Sequence, residues 1–360
     1  MAGAGPAGLT AAILLARAGR PVEIREAKAT VGAKFFGGFQ MLDDFSSAEP
    51  LRAFLARLHL RDDFLLRPAL EAELYDSRLR RYPVRSREPF GWFVTRGPGE
   101  GTLDSSLLAQ AREAGVKVVF GERVEGRAAD VVATGPRAPD GIARELTFST
   151  TIPDRVRVLF DARRAPGGYA YLFVFGGRAT YGCALVRDLR SIDRHFDECL
   201  ERFREIEDFP ISEARTGASF MTFAVSEGPS PPGGLLAGEA GGFQDYLFGL
   251  GIRYAMETGA LAARALWTGE SFDALWRESV GRRRADSLAA RYLYETFGDT
   301  GLAIFLRQAA RRDFRTHLAA WSRPGPVKAV IAAFARALWR RRGGCPHELS
   351  SHWCRAREAR

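Results

Sequence analysis

The sequence predicts an α/β protein with a Rossmann-like nucleotide-binding domain, an inserted antiparallel sheet and a helical C-terminal region. Three observations predict this fold class. A glycine-rich turn leads into an apolar helix and a short strand at the start of the chain, strand patterns fill residues 147–187, and helical patterns dominate after Phe272. The predicted divisions are 1–60, 96–146 and 230–268 for the nucleotide-binding domain, 61–95 and 147–229 for the substrate domain, 269–344 for the helical region, and 345–360 for a Cys/His tail.

The composition is that of an ordinary globular protein. Apolar residues make up 46% and charged residues 26% of the 360 residues, which excludes an intrinsically disordered chain. No run of 18 uncharged apolar residues occurs, so the sequence also predicts no membrane-spanning helix. Four cysteines are too few for a disulfide scaffold, and they favour a reducing, cytoplasmic compartment.

The first element is a glycine fingerprint at residues 3–8, with the sequence GAGPAG. In a dinucleotide fold, Gly3 would permit the tight turn, Gly5 would let the backbone approach a pyrophosphate, and Gly8 would let the helix pack closely on the sheet. The helix N-terminus would offer free N–H groups to the phosphates. Glu26 ends the following strand about 20 residues on, where a carboxylate can accept hydrogen bonds from ribose hydroxyls.

The later elements follow from period and turn signals. Thr102 is the expected N-cap of a helix that Gly115 ends, and Gly176-Gly177 is the expected turn of a β-hairpin. Further helices are predicted at 9–18, 48–58, 191–206 and 251–266, and further strands at 21–26, 71–75, 90–95, 116–120, 130–135 and 233–240.

Three segments resemble the flavoprotein group that includes aromatic hydroxylases and geranylgeranyl reductases. They are GAGPAG with Glu26, VVATG at 131–135, and LAGEAGGF at 236–243 followed by FGLGI at 248–252. The resemblance implies bound FAD, with Glu239 standing where the group usually has an Asp that binds the ribityl chain. The residues implied in FAD binding are Gly3, Gly5, Pro6, Ala7, Gly8, Glu26, Ala133, Thr134, Gly135, Gly238, Glu239, Gly249, Leu250, Gly251 and Ile252.

Within that group, residues 167–176 resemble the YxWxFPxG strand of geranylgeranyl reductases, with Tyr171 in place of Trp. This implies reduction of carbon–carbon double bonds in a prenyl or other apolar substrate. Hydroxylation of an apolar or aromatic substrate by a flavin monooxygenase is the alternative. Aromatic side chains alternating on a strand would wall a channel for such a substrate, although ordinary sheet core produces the same pattern. The candidate lining residues are Tyr169, Tyr171, Phe173, Phe175 and Phe248; no catalytic residue is predicted.

The electron donor is left open. No second dinucleotide fingerprint occurs, because Gly97, Gly99 and Gly101 lack its third position. NAD(P)H would therefore bind without a fold of its own, or a protein would supply the electrons.

The fingerprint lacks the buried strand that should precede it, since only Met1 and Ala2 come before Gly3. A start upstream of Met1, a truncated chain and a degenerate, non-catalytic copy of the fold all agree with this pattern. We expect the chain that begins at Met1 to be poorly soluble or free of flavin, because unpaired strand edges are costly. About five to eight added apolar residues would then restore it.

Two groups of residues have metal-binding composition. Cys345, His347, His352 and Cys354 lie within ten residues, but their spacings do not match common zinc motifs, so a frayed tail is favoured and no metal is predicted. His195 and Cys199 lie four residues apart on a predicted helix, and no third ligand follows them in sequence.

Arginine clusters at 282–284, 311–312 and 340–342 accompany the net charge of +9. No nucleic-acid-binding motif accompanies them, so nucleic acid is not predicted as a partner. The segment 327–342 combines an apolar stripe with Trp339 and three arginines, which predicts either a peripheral contact with the inner face of a membrane or a helix packed within the protein.

Overall fold

The computed structural model describes residues 1–124, 128–136, 139–223, 234–323 and 325–341, without the side chains of 336 and 338–341. The strands are β1 (Glu23–Glu26), β2 (Phe39–Asp43), β3 (Arg67–Ala69), β4 (Glu71–Tyr75), β5 (Arg81–Arg85), β6 (Gly91–Thr95), β7 (Lys117–Phe120), β8 (Val131–Val132), β9 (Gly141–Ser149), β10 (Arg155–Leu159), β11 (Tyr169–Phe175), β12 (Arg178–Leu185), β13 (Ser212–Met221) and β14 (Leu235–Leu236). The helices are α1 (Pro6–Arg17), α2 (Leu51–Arg57), α3 (Leu103–Glu113), α4 (Ile192–Ile206), α5 (Ile252–Thr268), α6 (Phe272–Trp276), α7 (Arg282–Ala309), α8 (Phe314–Ser322) and α9 (Pro326–Arg341).

Ala2 occupies the position between two pairs of parallel strands, β7–β1 and β8–β14. It forms parallel bridges with Arg25 on one side and Val132 on the other. Its N–H donates to the Val131 carbonyl at 2.9 Å, and its own carbonyl accepts from the Ala133 N–H at 2.7 Å. The two residues before the fingerprint therefore pair with both neighbours over the length that they cover.

The predicted strand at 233–240 is much shorter in the structure. Of the described residues 234–240, only Leu235–Leu236 pair as the strand β14, and a 3₁₀ turn at Gly238–Gly241 follows. The cause is Gly238, whose φ of +60° is in the left-handed region and cannot continue a strand. This turn carries Glu239 toward the inside of the protein instead of along the sheet.

Two helices pack unusually closely at the fingerprint. A Cβ added at Gly8 would lie 2.0 Å from the Gly3 carbonyl oxygen, and one added at Gly259 of α5 would lie 2.2 Å from the Ala7 carbonyl oxygen. Side chains at these positions would force α1 away from the turn before it and from α5. The glycines therefore fix the position of the α1 N-terminus.

The largest sheet in the described residues has seven strands in the order β13-β9-β12-β11-β10-β4-β5. Neighbours are antiparallel except β10 and β4, so the sheet is mixed, whereas the sequence predicts an antiparallel one. β9 crosses the predicted domain boundary at residue 146. The division into domains stays a prediction.

The two faces of this sheet have different partners because side chains alternate along β11. Ala170, Leu172 and Val174 are buried in one apolar cluster with α4. Tyr171 and Phe173 belong to another cluster, which includes residues of α7 and α8. This second face, together with the antiparallel sheet β2-β6-β3, borders the cavity described below.

Two of the C-terminal helices, α7 and α8, border the cavity through Phe305, Phe314 and Leu318. α7 is kinked at Gly298, whose φ is +48°, and Phe314 at the start of α8 packs edge-on against Phe90 at 4.9 Å between ring centroids. α9 packs on α7 through Ala332 and Ala335, which are fully buried. In the part of the chain that the structure describes, no helix is long and apolar enough to cross a membrane.

Candidate active site

One cavity of about 1680 Å³ runs from the glycine fingerprint to the aromatic face of the large sheet. Gly3, Gly5 and Glu26 line one end, and Tyr171 and Phe173 line the other. The cavity thus connects the predicted cofactor residues with the predicted substrate residues, although they lie more than a hundred residues apart in the chain.

The fingerprint end offers backbone groups and free space. A Cβ at Gly3, whose φ is +97°, would lie 2.4 Å from the Ala133 carbonyl oxygen, whereas a Cβ at Gly5 would meet nothing within 4 Å. Gly5 is also the N-cap of α1 and Pro6 begins the helix, so no side chain caps the N-terminal N–H groups. A helix N-terminus of this kind favours a phosphate. Gly3 and Gly8 therefore serve the fold, while Gly5 keeps space open for a ligand.

Glu26 lies beside this turn at the end of β1. Its carboxylate accepts the N–H of Ala4 at 2.8 Å and the N–H of Lys28 at 2.9 Å. The side chain lines the cavity and is only half-buried, so it keeps acceptor capacity for another donor. Its position agrees with the predicted role at a ribose.

Glu239 lies in the middle of the cavity wall. Burial raises its pKa to about 7, partly offset by the nearby charge of Lys34 and by the Thr222 N–H, which donates to the carboxylate at 3.3 Å. Burial in turn lowers the pKa of the Lys34 ammonium. A buried acid and a buried amine beside a cavity can exchange hydrogen bonds with polar groups of a bound molecule.

The remaining predicted cofactor residues lie along the same wall, with one exception. The cavity is lined by Pro6, Ala7, Ala133, Thr134, Gly135, Gly238, Gly249, Leu250, Gly251 and Ile252. Gly8 is outside the lining because it faces the Gly3 carbonyl in the turn that precedes α1. The open space at Gly5, the uncapped α1 N-terminus and the carboxylates of Glu26 and Glu239 together fit a long, phosphate-containing cofactor such as FAD.

The opposite end is an aromatic wall. Tyr171 stacks on Phe173 with their ring centroids 4.6 Å apart, and the Tyr169 hydroxyl donates to the Phe248 carbonyl at 2.6 Å. Asp245 fixes Phe248 by accepting its N–H, and burial raises the pKa of this carboxyl to about 6. Phe175 is outside the cavity lining, since it packs against Phe39 and Phe93 with centroid distances of 5.1 and 4.9 Å.

A cluster of polar side chains that the sequence does not predict also lines the cavity. It consists of Lys34, Gln40, Arg96, Asp104 and Glu145, all of which line the cavity. One signal could have found part of it: Glu145 is an acidic residue in a strand that is otherwise largely buried. The convergence of five residues from separate elements had no local signal.

The metal candidates do not form a site in the described residues. Cys345, His347, His352 and Cys354 lie outside them. His195 is buried and bonds through Nε2 to Asp188 at 2.9 Å, while the Cys199 thiol contacts the Arg164 carbonyl. No group of three or more metal-ligating side chains occurs in the described part of the chain.

No family model matches the chain. A curated relative, digeranylgeranylglycerophospholipid reductase 2 of Methanothermobacter thermautotrophicus, is 29% identical over 264 residues, which are 59% of this chain and 68% of the relative.

Solved structures with the same fold cover nearly the whole chain. A geranylgeranyl bacteriochlorophyll reductase-like protein from Thermoplasma acidophilum aligns with a TM-score of 0.68 at 17% identity, covering 92% of this chain and 94% of its own. A flavin-dependent brominase aligns with a TM-score of 0.63 at 17% identity, covering 95% and 98%.

The chain resembles the flavoprotein superfamily of geranylgeranyl reductases and aromatic hydroxylases. The resemblance inferred from the sequence is confirmed, and so is the predicted enzyme class at the level of an oxidoreductase. The mixed α/β fold is also confirmed, because these flavoprotein structures share it across most of the chain.

Proposed function

We propose that this chain uses FAD to reduce carbon–carbon double bonds of a prenyl or other long apolar substrate. The observation that carries the proposal is the cavity, which joins a phosphate-binding turn at Gly5 to an aromatic wall at Tyr171 and Phe173. The curated relative, which is named as a reductase of a geranylgeranyl lipid, supports the same substrate class.

Each end of the cavity would have a separate task. The α1 N-terminus and Glu26 would hold the phosphates and a ribose, and Glu239 would lie beside the ribityl chain. When bound, the reduced flavin supplies the hydride equivalent for the reduction. Tyr169, Tyr171 and Phe173 would orient the apolar chain and exclude water, since flat side chains bury much apolar area on a fixed strand.

The electron donor belongs to the proposal as well. NAD(P)H would reach the flavin through the open side of the cavity, or a redox protein would supply electrons at its mouth. The lack of a second fingerprint in the sequence favours a donor that binds without its own nucleotide fold.

The test uses purified protein loaded with FAD and reduced anaerobically with dithionite, so that the natural donor is not needed. The probes are geranylgeraniol in detergent and a digeranylgeranylglyceryl phospholipid in micelles. We expect the flavin bands to return as product forms, with two hydrogen atoms gained for each double bond reduced. Reduced protein that stays bleached with both probes, and leaves them unchanged, would contradict the proposal.

Hydroxylation by a flavin monooxygenase is a second candidate, because an aromatic ring fits the Tyr171–Phe173 wall as well as a prenyl chain does. Oxygen-dependent consumption of NAD(P)H coupled to a hydroxylated product would favour it over reduction. A protein that purifies without flavin and cannot be loaded would instead favour a non-catalytic role.

A further inference from the structure

Tyr171 and Glu145 meet across an intervening strand. Tyr171 on β11 pairs with Gly182 on β12, and Gly182 pairs with Glu145 on β9. A Cβ at Gly182 would lie 2.3 Å from Tyr171 Cζ and 2.4 Å from its hydroxyl oxygen. The missing side chain therefore lets the phenol cross β12, and its hydroxyl donates to Glu145 Oε1 at 2.5 Å.

Both groups are buried in the wall of the cavity rather than at its mouth. Burial raises the pKa of Glu145, an effect that Tyr171, Arg96, Lys34 and Gln40 partly offset. Burial also raises the pKa of the Tyr171 phenol well above its ordinary value, and the neighbouring carboxylate adds to that increase. A neutral carboxyl group and a neutral phenol at this distance can each donate to the other.

A chain of hydrogen bonds fixes Glu145 from behind. The Gln40 side chain bonds to Glu145, and Arg96 Nη1 donates to Gln40 Oε1 at 2.9 Å. Arg96 is itself held by two bonds of 2.8 Å to the carboxylate of Asp104. This arrangement holds the Glu145 carboxyl beside Tyr171, and the nearby charges of Arg96 and Lys34 would stabilise it after it loses a proton.

We propose that Tyr171 donates the proton in double-bond reduction and that Glu145 resupplies it, an inference that rests on the proposed function. Reduction needs a hydride equivalent at one alkene carbon, which the reduced flavin supplies, and a proton at the other. The Tyr171 O–H bond breaks and its proton forms the second C–H bond with the electrons of the alkene. The Glu145 O–H bond then breaks to restore the phenol, and the carboxylate takes a proton from water once product has left.

The hydride thus carries two electrons from the flavin, which is oxidised, and the single proton comes from Tyr171 and is replaced through Glu145 from water. The tyrosine is a feature of this chain, because the strand motif that it resembles has Trp at this position. Tyr171 would be the catalytic residue, and Glu145 would return a proton to it. Gln40 and Arg96 would hold Glu145 in position.

The first arm of the test observes the pair without any reaction. Protein labelled with ¹³C at the glutamate side-chain carboxyl carbons and loaded with FAD is studied by NMR, and the Glu145 signal is identified by its loss in Glu145→Gln. We expect the chemical shift of a protonated acid at neutral pH, altered by Tyr171→Phe. Tyr181→Phe is the matched control, since Tyr181 lies on the same sheet but donates to the Phe196 carbonyl on the opposite face.

The second arm measures product formation by dithionite-reduced protein with geranylgeraniol. Tyr171→Phe and Glu145→Gln should each lower the rate about 10²–10⁴-fold, the usual range for a lost proton donor, with unchanged flavin content. Tyr181→Phe should react at the wild-type rate. The solvent deuterium isotope effect on the wild-type rate should change in Tyr171→Phe.

The outcomes separate the two proposals. An ionised Glu145, or equal rates for Tyr171→Phe and Tyr181→Phe in an active protein, would overturn the proton-donor assignment and leave the proposed function standing. A wild-type protein that reduces neither geranylgeraniol nor the phospholipid would overturn the proposed function and the assignment with it.

Discussion

The two ends of the cavity present different kinds of chemical group, backbone at one end and side chains at the other. At the nucleotide end, the chemistry lies in the backbone: free N–H groups of α1 and space left by glycines such as Gly5. At the sheet end, it lies in side chains such as Glu145 and Tyr171, which meet only because β9, β12 and β11 are neighbours in register. The backbone site is formed by residues that are close in sequence, whereas the side-chain site forms only when the sheet folds.

This contrast predicts that single substitutions at the two ends fail in different ways. At the fingerprint end, a side chain added at Gly5 should abolish cofactor binding and leave the fold intact. A side chain added at Gly3 or Gly8 should instead disturb the fold, because it would overlap backbone atoms. At the sheet end, a side chain added at Gly182 would overlap Tyr171. The proposed proton transfer is lost there by removing a polar atom, such as the Tyr171 hydroxyl oxygen.

The largest effect is expected for Gly5→Val, which should abolish FAD binding because the side chain enters space that the pyrophosphate needs. Since nothing lies within 4 Å of the added Cβ, the protein should fold normally. Flavin content from the visible spectrum and the thermal unfolding midpoint measure the two properties separately. Gly99→Val, at an exposed loop glycine, is the control and should retain flavin. Full flavin occupancy in Gly5→Val would show that the pyrophosphate does not bind at this turn.

The second prediction concerns Glu239, whose folded pKa of about 7 lies above the ordinary value of 4.5. Its protonated form is favoured in the folded state, so its contribution to stability is complete below pH 4.5 and is lost as the pH rises through 7. The flavin-free protein should therefore lose about 3 kcal/mol of unfolding free energy over this interval because of Glu239.

Denaturant unfolding of wild type and Glu239→Gln at several pH values measures this difference. Asp245 also titrates near pH 6, so only the difference between the two proteins is attributed to Glu239. Glu201→Gln, at an exposed position of α4, is the control and should follow wild type. Parallel stability curves for wild type and Glu239→Gln would show that the carboxyl is hydrated in solution.

These predictions also show what the sequence could and could not predict. The sequence predicts Gly3, Gly5 and Glu26 as cofactor residues because a phosphate-binding turn requires a fixed local spacing, and in the structure all three line the cavity. It predicts the hairpin turn at Gly176-Gly177 because two glycines tolerate positive φ, and both have positive φ in the structure. Glu145 was missed because no spacing in sequence relates it to Tyr171, 26 residues later. Tertiary register decides that contact, and a single sequence does not specify it.

Other differences have local causes. The predicted strand at 233–240 ended early because Gly238 adopts positive φ. Phe175 shares the alternation of the aromatic wall, yet it packs on Phe39 and Phe93 instead of lining the cavity. Periodicity gives the face of a strand on which a residue lies, but not whether the space above it is filled.

A smaller effect is expected for Glu26→Ala, which should weaken FAD binding by about 1–3 kcal/mol because ribose hydroxyls lose their acceptor. Fluorescence titration with FAD measures the affinity. Glu23→Ala is the matched control on the same strand, where the carboxylate pairs with Lys117 and Arg25 instead of facing the cavity. Equal affinities for Glu26→Ala and wild type would place the ribose elsewhere.

Outside the cavity, α9 has an apolar surface that is only partly covered by the rest of the protein. Ala332 and Ala335 pack on α7, which accounts for one face of the helix. Val327 and Val330 are nevertheless 70% and 69% exposed. Packing within the protein therefore covers only part of the apolar stripe, and the sequence continues into three arginines at 340–342.

The last prediction concerns this surface, where we expect salt-sensitive binding of the protein to vesicles of anionic phosphatidylglycerol, measured by co-sedimentation. Changing Arg340, Arg341 and Arg342 to Gln should weaken it by about 1 kcal/mol for each charge removed, because each basic residue gains that much near an anionic surface. Val327→Ser with Val330→Ser should weaken it at high salt as well, since apolar burial is not screened. Trp267→Ser, which removes an exposed apolar residue from α5, is the control. If wild type and the three variants sediment equally, with or without salt, the exposed valines do not enter a bilayer. The role of α9 would then be to pack on α7 through Ala332 and Ala335.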